Sequence, residues 1–320
     1  MKALGLFSGG LDSALAIKLI QEQGIEVEGF YVDLGFESNK QKIEELKKLA
    51  QNLGINFYVC DAKEEYIKKV LFNPVYGYGK NFNPCIDCHA FMIKKALENL
   101  EKRGASFIVS GEVVGQRPMS QRLPALNAVN KLSNAQGLVL RPLSAKLLPP
   151  TVPEKEGWVD REKLLAISGR DRKIQLELAK KYNLENFESP SGGCLLTDIN
   201  FSKRLRDYHK YLPLTPNEID ILKVGRHFNI DGFKIIISRN KDENQVLKEY
   251  KGEIFEKMNI IEKPGPLGLI QKNAPEEIKK LAADMMVSYT KFDEADVKIG
   301  EKIYKGKKRD KKELAKYLIF

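Results

Sequence analysis

The segment Ala3–Phe7 is a short apolar run that breaks at once into Ser8-Gly9-Gly10-Leu11-Asp12-Ser13, and helical periodicity then runs from Leu11 to Gln23 and stops at Gly24. A strand that turns through two glycines straight into a helix leaves the first helical N–H groups without partners at the strand's carboxyl end. Glycines let the backbone approach an anion closely, serines add hydroxyl donors, and the helix dipole favours negative charge there. The pattern points to a phosphate site. It is not the G-x-x-x-x-G-K-[ST] loop, whose spacing and lysine are missing, nor the G-x-G-x-x-G dinucleotide turn. A serine-capped glycine turn with no ligand is the plain alternative.

Strand and helix patterns alternate beyond this turn. Val27–Leu34 reads as a strand and Lys40–Leu53 as an amphipathic helix ended by Gly54. Ile55–Cys60 reads as a strand, Glu64–Phe72 as helical, Cys88–Lys102 as a helix ended by Gly104, and Phe107–Ser110 as a buried strand. Such alternation predicts an α/β fold, a doubly wound parallel sheet with ligands bound outside the carboxyl ends of its strands. From Gly115 to Pro153 the pattern weakens into Gly-, Pro- and Gln-rich loops, and helical character returns at Arg161–Ala166 and Lys173–Tyr182. A boundary is expected near Tyr211–Pro216. The reading is a first domain over residues 1–205 and a second, smaller α+β domain over 217–320, where Lys234–Ser238 reads as a strand and Asn244–Tyr250 as a helix.

With 320 residues, 42% hydrophobic and 30% charged, the chain has room for two ordinary globular cores. It shows no 18-residue apolar run and no basic-then-apolar leader, which predicts a cytoplasmic protein with no membrane partner. A net charge of +10 favours a polyanionic partner. Four cysteines, Cys60, Cys85, Cys88 and Cys194, do not make a disulfide framework in such a chain, so metal or sulfur chemistry in a reducing compartment is the better reading.

Pro84-Cys85-Ile86-Asp87-Cys88 has C-x-x-C spacing at a helix start, and Cys194 follows Ser191-Gly192-Gly193. Helix N-termini favour the thiolate that binds metal or carries sulfur. Three thiolates can hold a cubane cluster and leave one iron open. Structural zinc and unligated core cysteines remain the alternatives. A zinc deaminase also shows P-C-x-x-C, but it needs an upstream H-x-E or C-x-E, and Cys60-Asp61-Ala62 supplies neither. Cys60, on a strand, reads as core.

Ser8–Ser13 resembles the S-G-G-x-D-S pyrophosphate loop of the adenine nucleotide alpha-hydrolase superfamily, whose members cleave ATP between the α and β phosphates and adenylate a substrate oxygen. The resemblance implies that Ser8, Gly9, Gly10 and Ser13 hold the pyrophosphate end of ATP while Asp12 helps to place Mg²⁺. It puts the adenine near Tyr31–Asp33, with Val32, and near Ser110-Gly111. Asn83–His89 and Ser189–Asp198 resemble the two cysteine segments of the tRNA 2-thiouridine and 4-thiouridine synthetases. Gly111–Gln121, Arg141–Lys146 and Trp158–Arg172 are similar to further motifs of that family, over roughly residues 1–205. The family implies a thiolation enzyme acting on tRNA, with Asp12, Cys85, Cys88 and Cys194 as catalytic residues. Cys85, Cys88 and Cys194 match the order of cysteines that bind a [4Fe–4S] cluster in several tRNA thiolases; in relatives that use a persulfide, one early and one late cysteine act as a pair. The sulfur would come from a cysteine desulfurase or free sulfide. The ferredoxin-like and THUMP regions of the larger 4-thiouridine synthetases and the β-barrel of the 2-thiouridylases have no counterpart in the sequence pattern.

Arg170, Arg172 and Lys173 beside Ser168-Gly169, together with Arg117, are candidates for tRNA phosphate contacts; a solvated basic face explains the first three about as well. Residues 217–320, with Val224–Phe228 and Ile235–Asn240, resemble the small RNA-associated domain of the NFACT family. A packing or homodimerisation domain is the plain alternative. Two other functions share the loop: an ATP-dependent amidotransferase or ligase, which would not need three cysteines, and a non-catalytic RNA-binding module that senses nucleotide.

Overall fold

The computed structural model describes residues 1–37, 41–184, 187 and 193–319. The packing divides the chain into two compact units, Met1–Cys194 and Leu195–Phe320.

The first unit is built on β1 (Lys2–Leu6), β2 (Glu26–Asp33), β3 (Phe57–Asp61), β4 (Phe107–Val109) and β5 (Val139–Leu140), all parallel, in the order β3-β2-β1-β4-β5. β2 is buried along nearly its whole length rather than alternately, as a strand covered on both faces must be. The connecting helices are α1 (Leu11–Gln21), α2 (Lys42–Leu53), α3 (Lys63–Tyr66), α4 (Cys85–Leu97), α5 (Leu123–Ser133), α6 (Val152–Lys155) and α7 (Lys173–Lys181). The sheet grows outward from β1 through β2 to β3, and the chain then returns to place β4 on β1's other side. The strand order therefore reverses between β1 and β4, where ligands of open α/β sheets bind. Gly54 closes α2 in the left-handed conformation at φ 67°, which explains the stop read from the sequence.

Three sequence expectations in this unit are corrected. The C-x-x-C helix begins at Cys85, not Cys88, because Pro84 stands at its N-cap and the Pro84 carbonyl already accepts from the Cys88 N–H. The stretch read as loop after Gly115 contains α5, whose Ala125, Leu126 and Val129 are buried and which packs on α4. Its Pro124, Asn127 and Asn130 are poor helix formers, so packing rather than propensity holds it. Arg161–Ala166 makes only one 3₁₀ turn, Arg161–Lys163, started by Asp160 accepting from the Glu162 N–H. Leu165 and Ile167 then donate to the carbonyls of Pro142 and Leu143, a tertiary pairing that a helix would forfeit.

The second unit opens with α8 (Ile199–His209) and α9 (Pro216–Lys223); Thr215 and Glu218 cap α9 reciprocally. A seven-stranded antiparallel sheet follows, in the order β11-β10-β8-β9-β7-β6-β12. Its strands are β6 (Arg226–Ile230), β7 (Phe233–Ile237), β8 (Phe255–Ile260), β9 (Leu267–Gln271), β10 (Glu294–Ile299), β11 (Lys302–Lys307) and β12 (Leu318–Ile319). The helices α10 (Lys241–Glu249), α11 (Glu276–Ser288) and α12 (Lys311–Leu314) intervene. Asp231 and Gly232, both at positive φ, make the two-residue turn of the β6–β7 hairpin. Met258, Ile270, Met285, Met286 and Val297 share one core with Phe228 and Ile235. Among the described residues no helix is long and apolar enough to cross a membrane.

Helix and sheet approach closely in this unit at Gly306 on β11, where an added Cβ would sit 2.6 Å from the Ala283 carbonyl oxygen of α11. Gly306→Ala is expected to lower unfolding free energy by about 1–3 kcal/mol, the cost of overpacking a filled contact, as read from urea midpoints.

Candidate active site at the strand switch point

The turn after β1 is an open cradle. Gly9 takes φ 79°, a conformation an L-residue rarely adopts, and a Cβ there would lie 2.7 Å from Leu46 Cδ2. Gly10 stands at the N-cap of α1 and makes no side-chain cap, as a residue without a side chain must. The Ser13 hydroxyl donates to the Gly10 carbonyl at 2.7 Å, and Ser8 Oγ lies 3.5 Å from Ser13 Oγ. These contacts hold the two hydroxyls on one side of the turn.

Across the switch point, Ser110-Gly111 leaves β4 and presses on this turn. A Cβ at Gly111 would fall 2.6 Å from both the Asp12 carbonyl carbon and the Ser13 nitrogen. Only glycine permits that approach. The following segment reaches further over the loop, and Gln116 Nε2 donates to Asp12 Oδ2 at 2.7 Å. The other oxygens of this pair, Asp12 Oδ1 and Gln116 Oε1, are buried with no hydrogen-bond partner. Two orphaned hard oxygen acceptors beside a phosphate-type turn fit a divalent cation that also takes phosphate and water ligands, as Mg²⁺ does. Of the residues expected near the adenine, Val32 is buried within β2 and pairs with Cys60 in β3. Asp33, at the carboxyl end of β2, makes a 2.6 Å ion pair with Lys63.

Behind the loop lies a hub that sequence reasoning missed. Glu112 is buried, accepts from Arg141 Nε at 2.8 Å, and meets His89 Nδ1 at 2.7 Å and Ser110 Oγ at 3.2 Å. Burial alone would raise its carboxyl pKa, but the Arg141 charge and the His89 contact hold it down at about 2. Arg141 also donates to Asn130 Oδ1 of α5 at 3.1 Å, so it is a structural ion-pair partner rather than a free anion contact. Glu112 thereby fastens the end of β4 to α4 beside Cys88. A lone Glu in a glycine-rich stretch carries no pattern that would have singled it out.

The cysteines gather around α4. Asp87, between the two early cysteines, is buried and accepts from the N–H groups of Val75 at 2.6 Å and Tyr76 at 3.1 Å, which ties down the preceding loop. Asn83 Nδ2 donates to Cys85 Sγ at 3.2 Å. Cys194 pairs by backbone with Glu37, beyond β2. Burial pushes the Cys88 thiol well above its usual range, and Cys194 and Cys85 nearby push it further. The buried Tyr66 hydroxyl lies against Cys88 without a hydrogen bond of ordinary geometry. The expected [4Fe–4S] cluster has the right donor chemistry in these thiols. Yet among the described residues no three His, Cys, Asp or Glu side chains are spaced to hold a metal ion, so the arrangement as it stands does not fit a cluster. Cys60 is half-buried on β3, its thiol also raised by burial. Ser189–Gly192, the start of the late cysteine segment, lies outside the described residues.

The basic candidates divide. Arg117, Arg170 and Lys173 are exposed, whereas Arg172 is half-buried and its Nε is enclosed without a partner. The Gly169 N–H donates to the Val114 carbonyl, which sets this basic loop against the segment leading to Gln116. His227 in the second unit is buried and donates Nε2–H to the Val224 carbonyl at 2.8 Å; burial lowers its pKa to about 3.

Residues 1–161 match the family model described as tRNA methyl transferase HUP domain, and residues 225–317 match the model described as NFACT protein RNA binding domain. A tRNA-specific 2-thiouridylase MnmA of Listeria monocytogenes serotype 4b is 26% identical over 235 residues, covering 69% of this chain and 59% of that protein. Its counterpart in Sulfurimonas denitrificans is 35% identical over 118 residues, 35% of each protein. The chain thus spans 59% of the length of the Listeria relatives it matches. Among solved structures, a 4-thiouridine synthetase in complex with RNA and ATP is similar with a TM-score of 0.42 and 18% identity, over 69% of this chain and 52% of that one.

Gly111→Ala is expected to separate β4 from the loop, because all three clashing atoms are backbone and none can move aside alone. Urea unfolding should then show stability lowered by about 1–3 kcal/mol.

Proposed function

Because this chain belongs to the tRNA methyl transferase HUP domain family, we propose that it is an ATP-dependent tRNA sulfurtransferase that adenylates a uridine carbonyl and replaces its oxygen with sulfur. The observation that carries the reading is the pairing of the Ser8–Ser13 cradle, with its orphaned Asp12 oxygen, and a Cys88 thiol that feels both Cys85 and Cys194 within one unit. The 2-thiouridylase relatives support thiolation rather than methyl transfer.

In this reading ATP lies with its β and γ phosphates on the N–H groups of the Ser8–Ser13 turn. Asp12 and Gln116 would hold Mg²⁺, which when bound neutralises phosphate charge. The uridine oxygen attacks the α phosphorus and pyrophosphate departs, its growing charge met by loop dipoles already in place. Sulfur then arrives as a persulfide on a cysteine, loaded by a cysteine desulfurase or an equivalent donor. The outer persulfide sulfur bonds to the activated carbon and AMP leaves with the former uridine oxygen. A second thiol attacks the inner sulfur, which frees thiouridine and leaves a cysteine disulfide that a thiol reductant returns to two thiols. Cys194 with Cys85 or Cys88 forms the early-and-late pair this requires.

The second unit supplies RNA contacts. On β11, Tyr304 and Gly306 face the core while Lys305 and Lys307 face water, and Lys311 and Lys312 are exposed just beyond. Phosphates are held by such side chains without sequence preference. Arg117, Arg170 and Lys173 serve the same purpose in the first unit.

Incubation of the protein with tRNA, ATP and a sulfur donor should yield AMP, pyrophosphate and a thionucleoside on mass spectrometry. Asp12→Asn should cut AMP formation by roughly a hundredfold or more, the scale of losing an electrostatic group at the transition state, with tRNA affinity kept. Cys60→Ala should stay active while Cys194→Ala and at least one of Cys85→Ala and Cys88→Ala lose thiolation. Accumulation of ADP and orthophosphate would contradict the adenylation. Activity that follows iron content in anaerobically prepared protein would move the sulfur from a persulfide to a cluster.

A further inference from the structure

The loop lacks the lysine that many phosphate-binding turns carry, but the fold brings one to it from another helix. Lys42 is the first residue of α2, and it is 5% exposed. α2 follows β2, so its N-terminus stands at the carboxyl end of the sheet, on the same rim as the turn after β1. Its side chains pack directly on that turn: a Cβ built on Gly9 would meet Leu46 Cδ2 at 2.7 Å, Leu49 Cδ1 at 3.5 Å and Lys42 Nζ at 3.6 Å. The leucines fix α2 against the glycine, and the lysine nitrogen is carried to the edge of the cradle.

We propose that Lys42 is the cation that holds the leaving pyrophosphate. The inference rests on the reading of Ser8–Ser13 as an ATP loop and adds the charge which that loop does not contain. The turn itself offers only neutral N–H and hydroxyl donors, whereas the departing pyrophosphate gains negative charge as the α-phosphorus bond breaks. A lysine is a compact point charge suited to phosphate oxygens. Held in place by packing and largely shielded from water, it acts on that charge with less screening than a surface lysine would. Lys42 thus acts on the β and γ phosphates and not on the adenosine or the α phosphate retained in AMP.

The test is calorimetric binding of ATP, sodium pyrophosphate and AMP to the full chain and to Lys42→Gln and Lys42→Arg, at fixed salt. Lys42→Gln should weaken ATP and pyrophosphate roughly tenfold or more, the worth of one charge-assisted contact, and leave AMP within about twofold. Lys42→Arg should restore most of the loss. AMP affinity doubles as the control that the site is still folded. Equal losses for AMP and pyrophosphate would make Lys42 a packing residue and overturn the proposal, as would unchanged affinities. A parent protein that binds neither ATP nor pyrophosphate would overturn the ATP reading of the loop itself.

Discussion

The candidate site depends on a backbone contact between two segments about a hundred residues apart. The end of β4 meets the turn after β1 because residue 111 has no side chain, and with a methyl there the two backbones would overlap at 2.6 Å. Strand order explains why this contact exists. β1 and β4 are neighbours whose connections leave in opposite directions, which opens a crevice between two loops at their carboxyl ends. The Gln116–Asp12 bond follows from that geometry.

A second constraint is the buried carboxylate of Glu112. An isolated buried charge is unfavourable, but this one is matched by Arg141, His89 and Ser110, and it stays ionised. Each partner sits on a different element: His89 on α4 beside the thiols, Arg141 just past β5, Ser110 at the end of β4. One carboxylate thereby ties the cysteine helix to the end of β4. Removing a partner would leave charge buried and uncompensated, which makes the arrangement a means of specifying geometry more than of adding stability.

Much of this was legible in the sequence where one local rule decided the outcome. The strand–glycine–helix turn at Ser8–Ser13, the parallel alternation and the Gly54 stop are local, and each appears as read. α5 was not legible, because Pro124 and two asparagines mask a helix that exists through packing on α4. The Arg161–Ala166 helix failed for the converse reason: its helix-compatible residues are recruited into pairing with Pro142 and Leu143. Glu112 and Lys42 were invisible as site elements, since both acquire meaning only from residues distant in sequence. The Asp231-Gly232 hairpin could have been found, as Asp-Gly between apolar runs is a strong turn signal. The cysteine order was legible, but a cluster does not follow from it: Cys85 and Cys194 lie near enough to raise the Cys88 thiol, yet among the described residues no three such side chains have the spacing of a metal set.

The central claim is that ATP activates the very oxygen that sulfur replaces. A tRNA whose uridine carbonyl oxygens carry a heavy-oxygen label tests it directly, with AMP and nucleosides from one turnover analysed by mass spectrometry. The account predicts that AMP gains one labelled oxygen for each thiouridine formed. Thiouridine produced while AMP stays unlabelled, or labelled oxygen recovered in pyrophosphate or water, would contradict it.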